Sequence, residues 1–387
     1  MPRRLHQGRG GFEGVLNKVE ALINSPLAEI GRWLQSTVID IRQANRDGTA
    51  SINESELARD IDAMLHLLPK SFGDRFRFDS GMIAATCEAF QNIGLQLNPM
   101  ILPLHGSTWG HNSLPMPWSK GDKISMVDFI RLPGTDELDD VSLLAYPLLL
   151  HEIGHNILFR YGAAFSDRFR ADLETITNRF RLSSIADRGR ARSNYQNRIE
   201  MIRRYWTPSP NHKNWASESA IDVIAFWVCG PAYLAALCDE MDQRHVQPYF
   251  LEQEHPPNYV RMSALRCVAV KLGWMKHLSA VDHLLDRWKR ASPGPTSRYN
   301  EYVALTDPQI IDACLATSLS ACKELRLPLC DQETIKRIHR DLSNGATPDL
   351  GIEVLIGAWL MHEQSNEAGY AQWEAATVRD LLNYVTL

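Results

Sequence analysis

Two histidines four residues apart, His151 and His155, stand inside a mostly apolar run from Leu148 to Phe159, with Glu152 beside the first of them. This composition predicts a buried helix over 148–161, and polar groups in such a helix need partners. Residues four apart share one helix face about 6 Å apart along the axis, so both imidazoles can reach a single metal ion. Glu152 falls about 100° round the helix, where its carboxylate can take a proton from a metal-activated water. Asp139 and Asp140 read as the helix start, Pro147 as a kink or first turn, and Gly162 as the C-terminal cap. The alternative is an accidental pentapeptide with two ordinary buried histidines.

A second segment weighs against accident. Glu218 and Asp222, again four apart, open the apolar run Val223 to Cys229 that stops at Gly230-Pro231. On a buried helix Glu218 can supply a third ligand and leave a fourth position for water, the arrangement of a catalytic zinc site. Asp222 can accept a hydrogen bond from one zinc histidine and set its tautomer. The bland alternative is two solvated acids at a helix start.

A His-Glu-x-x-His helix followed about sixty residues later by Glu-x-x-x-Asp resembles the gluzincin metallopeptidases. A third segment, His255-Pro256-Pro257-Asn258-Tyr259-Val260-Arg261, looks like the one that follows the third ligand in the family of HtpX and the type I CAAX prenyl protease. The resemblance covers roughly residues 120–275 and implies one Zn2+ per chain on His151, His155 and Glu218. It also implies Glu152 as general base, Asp222 supporting a ligand, and His255 and Arg261 lining the cleft. An oxyanion donor is then needed, and the candidates are His255, Arg261 and Tyr233.

The fold class that follows is mainly α (α+β): a zincin-like core with a small β element at the cleft, flanked by helical regions. The expected divisions are 1–97, a helical region with a flexible basic tail; 98–275, the catalytic domain; and 276–387, a helical region. Lys123 to Leu132 is the strand candidate, and by the resemblance it is an edge strand that pairs with extended substrate. His105 and His111 fall in the loop before it. Periodicity predicts helices over 12–23 and 27–41, and Ser51 with Glu54 suggests a capping box for another. The stretch 45–52 does not fit a calcium loop and reads as a helix connection.

A net charge of −5 and 22% charged residues give no overall pull toward nucleic acid. No run reaches the eighteen or so apolar residues of a membrane span. The odd set of seven cysteines lacks metal-type spacing and predicts reduced, buried thiols of a cytoplasmic protein. The arginine-rich stretch 163–206 predicts a helical hairpin whose basic residues pair with Asp167, Asp172, Glu174 and Asp187 rather than with a polyanion. Beyond residue 276, breakers such as Thr306-Asp307-Pro308 and Asn344-Gly345 separate amphipathic helices, with Thr306, Asp331 and Thr347 as caps.

The expected function is a zinc-dependent metallopeptidase, an endopeptidase acting on a protein or peptide substrate, with a regulatory protein as a further partner. The alternatives are a metallohydrolase of a non-peptide or small-peptide substrate, and a latent or non-enzymatic regulatory protein whose zinc site is closed by a fourth ligand such as His105 or His255.

Overall fold

A computed structural model describes residues 74–97, 101–106, 109–115, 126–134, 137–184, 191–208, 214–292, 294–295 and 297–383, with 39, 43 and 46–48 besides. The helices expected over 12–41 and after Ser51, and the basic tail, lie outside the described residues apart from these few. Of the 45–52 stretch, Asp47 and Gly48 form a turn with Gly48 at φ 68°. The described chain is mainly helical, and none of its helices is long and apolar enough to cross a membrane.

Two compact units divide the chain. The first comprises 1–81, 98–141 and 382–387, and holds the first turns of α1 (Asp74–Gln91) and a three-stranded sheet. The strands are β1 (Ile101–Gly106), β2 (Gly110–Pro115) and β3 (Met126–Pro133), in the order β1-β3-β2. β1 runs parallel to β3 and β2 antiparallel, with Leu102 and Asn112 both opposite Phe129. The strand expected near 123–132 is therefore central, and both of its edges are already paired. That removes the expected pairing of this strand with substrate. His105 and His111, expected in a loop, stand on β1 and β2. The buried pair Arg75–Asp79 closes at 2.9 Å, and Arg75 also donates to the carbonyl oxygens of Pro133 and Glu137.

The second unit, 82–97 and 142–381, carries the remaining helices. They are α2 (Leu149–Tyr161), α3 (Ala163–Ser184), α4 (Ala191–Trp206), α5 (Trp215–Cys229), α6 (Pro231–Gln243), α7 (Asn258–Lys271), α8 (Ser279–Ala291), α9 (Tyr299–Leu305), α10 (Pro308–Glu324), α11 (Gln332–Ser343), α12 (Ile352–Gln364) and α13 (Glu367–Leu382). Phe165, Phe169 and Leu173 of α3 meet Trp206 of α4, Trp215 of α5 and Ile310 and Cys314 of α10 in one apolar cluster. Its indole nitrogens are satisfied, Trp206 donating to the Leu305 carbonyl at 2.7 Å and Trp215 to that of Glu252 at 3.0 Å. Trp227, further along α5, donates to Leu327.

Local differences from the sequence reading have physical causes. Asp139 and Asp140 close a separate 3-10 turn, and α2 instead grows out of the turn Tyr146–Leu148 with Pro147 in its first positions. No side chain caps α2. Gly162 does end it, donating to the Leu158 carbonyl at 2.7 Å. Asp307 and Asp331 cap α10 and α11; Thr306 is a C-terminal cap instead, and Thr347 precedes a helix whose N-cap is Gly351. Six cysteines are buried as expected, and Cys267 is exposed. In the arginine-rich hairpin Arg170 pairs with Asp167, while Arg168 and Arg198 reach Glu324 and Asp307 near the two ends of α10.

Candidate metal centre

The site is built where α2 crosses α5. A Cβ on Gly154 would come within 2.9 Å of Ile221 Cγ2, so glycine sets how closely the two backbones approach. That approach brings Glu218, on the first turn of α5, to the two histidines of α2. Asn214 starts α5 by accepting the Ser217 amide at 3.0 Å.

The ligating atoms of His151, His155 and Glu218 all lie within 4.8 Å of one another, a group able to hold a metal ion. His151 Nε2 is 3.3 Å from Glu218 Oε2, and His155 Nε2 is 3.8 Å from Oε1. Ligands about 2.1 Å from a tetrahedral metal stand roughly 3.3 Å apart, so the spacing suits a shared ion. Glu218 is completely buried, and neither of its carboxylate oxygens has a hydrogen-bond partner. A buried carboxylate without hydrogen bonds is costly, and a cation would satisfy both oxygens. Burial would push its carboxyl up, yet the imidazoles of His155, His151 and His255 hold it well below the ordinary range, so it stays ionised.

Behind His151 lies a second layer. Its Nδ1 is 2.9 Å from Asp222 Oδ1. Asp222 also accepts the Tyr233 hydroxyl at 2.7 Å and two donors of Arg261, Nε and Nη2, each at 2.8 Å. Burial would raise the Asp222 carboxyl; Arg261 and His151 lower it instead. Burial likewise disfavours protonation of His151, but the neighbouring carboxylates of Asp222 and Glu218 outweigh it and raise the ring to about 10. Burial and the Asp222 charge push the Tyr233 hydroxyl well above its usual value.

The eight residues His151, Glu152, His155, Glu218, Asp222, Tyr233, His255 and Arg261 thus fall in one neighbourhood of the second unit, but in different positions. Glu152 is buried on α2 next to His151. Tyr233 and Arg261 face Asp222 and donate to it. His255 reaches the centre directly, its Nε2 3.3 Å from Glu218 Oε2, without joining the ligand cluster. Glu252, a candidate ion-pair partner of Arg261 from the sequence, instead stands 3.3 Å from Nδ1 of His255, the residue three positions after it, while Arg261 pairs with Asp222. His105 and His111 have no described side chains. No protein-family model, curated protein or solved structure matches this chain.

Proposed function

We propose that this chain is a zinc-dependent metallopeptidase of gluzincin type, a diverged relative of the HtpX and type I CAAX prenyl protease family with a zincin-like core. The observation that carries the reading is the buried, hydrogen-bond-free Glu218 carboxylate facing two histidines four apart on α2. Two imidazoles and one carboxylate suit zinc, which when bound acts as a Lewis acid and makes its water acidic near neutral pH. Glu152 takes the proton of the attacking water and delivers it to the departing amine. Asp222 orients His151, and Arg261 and Tyr233 hold Asp222. His255 contacts the carbonyl oxygen of the substrate. Seven free thiols suit a reducing, cytoplasmic compartment.

A second reading, a latent centre closed by His255, starts from the approach of that ring to Glu218. Against it, the group of atoms close enough to share an ion contains three residues, and no fourth among the described residues.

Elemental analysis of the parent with His151→Ala, Glu152→Gln and Glu218→Ala tests the reading, alongside cleavage of a mixed peptide library. About one zinc per chain is expected in the parent and in Glu152→Gln, with depletion in both ligand variants. Activity should vanish in all three variants. A folded parent that takes up no zinc overturns the proposal.

A further inference from the structure

The loop between α6 and α7, residues 244–257, reaches the metal centre through His255, and a second side chain of that loop grips the same ring. We propose that Glu252 is a positioning residue that holds His255 by its Nδ1 edge, so that Nε2 is presented beside Glu218. The role in catalysis rests on the peptidase reading above; the contact itself rests on geometry.

Glu252 Oε1 stands 3.3 Å from Nδ1, and on the opposite edge Nε2 stands 3.3 Å from Glu218 Oε2. A carboxylate only accepts, so on that edge the ring donates, and its rotation is fixed. The backbone of Glu252 is anchored as well. Its carbonyl accepts the indole hydrogen of Trp215, which is fully buried one turn before Glu218 on the same helix. Glu252 is therefore tied through its backbone to the helix of the third ligand and through its side chain to the ring beside that ligand. The loop is closed behind it by the Tyr259 amide donating to the Pro248 carbonyl at 2.9 Å. The Glu252 side chain is 49% exposed, so replacing it leaves the core packing intact.

The test compares Glu252→Ala, Glu252→Gln, His255→Ala and the double alanine variant, all zinc-loaded. Glu252→Ala is expected to lower kcat about tenfold while KM, zinc content and Tm stay at parental values. Glu252→Gln, whose amide oxygen still accepts, should recover most of the loss. The double variant should be no slower than His255→Ala, because the two residues act as a unit. Ring 15N spectra give a readout independent of turnover. The His255 signal, assigned by its loss in His255→Gln, should show both ring nitrogens protonated in the parent, Nδ1 toward Glu252 and Nε2 able to donate, and should shift at Nδ1 in Glu252→Ala. An unchanged ring spectrum, or fully additive losses in kcat, overturns the proposal. A parent that cleaves no peptide fails the peptidase reading, and the spectrum then decides the Glu252 contact alone.

Discussion

His151 stands between two carboxylates, Glu218 at Nε2 and Asp222 at Nδ1, and this makes its proton the competitor of any metal held there. In the metal-free protein the ring is raised from 6.5 to about 10. Its ion pairs therefore stabilise the fold fully below pH 6.5, and that contribution is lost as pH rises through about 10. A ligand must be neutral, so metal binding displaces this proton, and affinity climbs with pH across the same window. Calorimetry at pH 7.5 in buffers of different ionisation heat should report release of about one proton or more per zinc. Proton-neutral binding would contradict the arrangement. Asp222→Asn should weaken zinc about 10–100-fold, read by chelator competition, since the ligand loses the partner that orients it. At this scale the grouping of His151, His155 and Glu218 was legible because helical spacing puts residues four apart on one face. The contacts of Tyr233 and Arg261 with Asp222 were not. Their neighbour Asp222 lies on another helix, and burial there consumes the donors that an exposed cleft would leave available.

Among the elements, the crossing of α2 and α5 depends on Gly154. Gly154→Ala is expected to cost about 1–3 kcal/mol, because a Cβ would press on the branched Ile221. Zinc affinity should fall with it as Glu218 is pushed away; a variant with parental Tm and affinity would show that the helices adjust freely. Asn214→Ala removes the cap of α5 and should cost about 1 kcal/mol in denaturant unfolding. The helices that carry the site were readable from their length and apolar period, down to Gly230 and Pro231 between α5 and α6. The sheet was only partly readable. β1 and β2 are six residues each, contain Pro103 and Pro115, and draw their pairing from β3, more than ten residues further on. Edge strands tolerate proline, so local composition there resembles a loop.

For the molecule as a whole, the described residues of the candidate centre, His151, His155, Glu218 and Asp222 among them, belong to the second unit. Zinc that binds only the folded form should stabilise that unit by about 4 kcal/mol at a thousandfold excess over its Kd. Chelation followed by thermal unfolding should lower Tm, and added zinc should restore it; a Tm indifferent to chelator would place the metal elsewhere. The indole of Trp227 on α5 is bonded to Leu327, a hundred residues later, and Cys330 returns a backbone hydrogen bond to Trp227. As the ribosome delivers the chain, the three ligands emerge long before the segment that seats their second helix. Any ion taken up at the centre would then be loaded late in the life of the nascent polypeptide, and fragments ending near Glu324 would carry His151, His155 and Glu218 without a finished seat for α5.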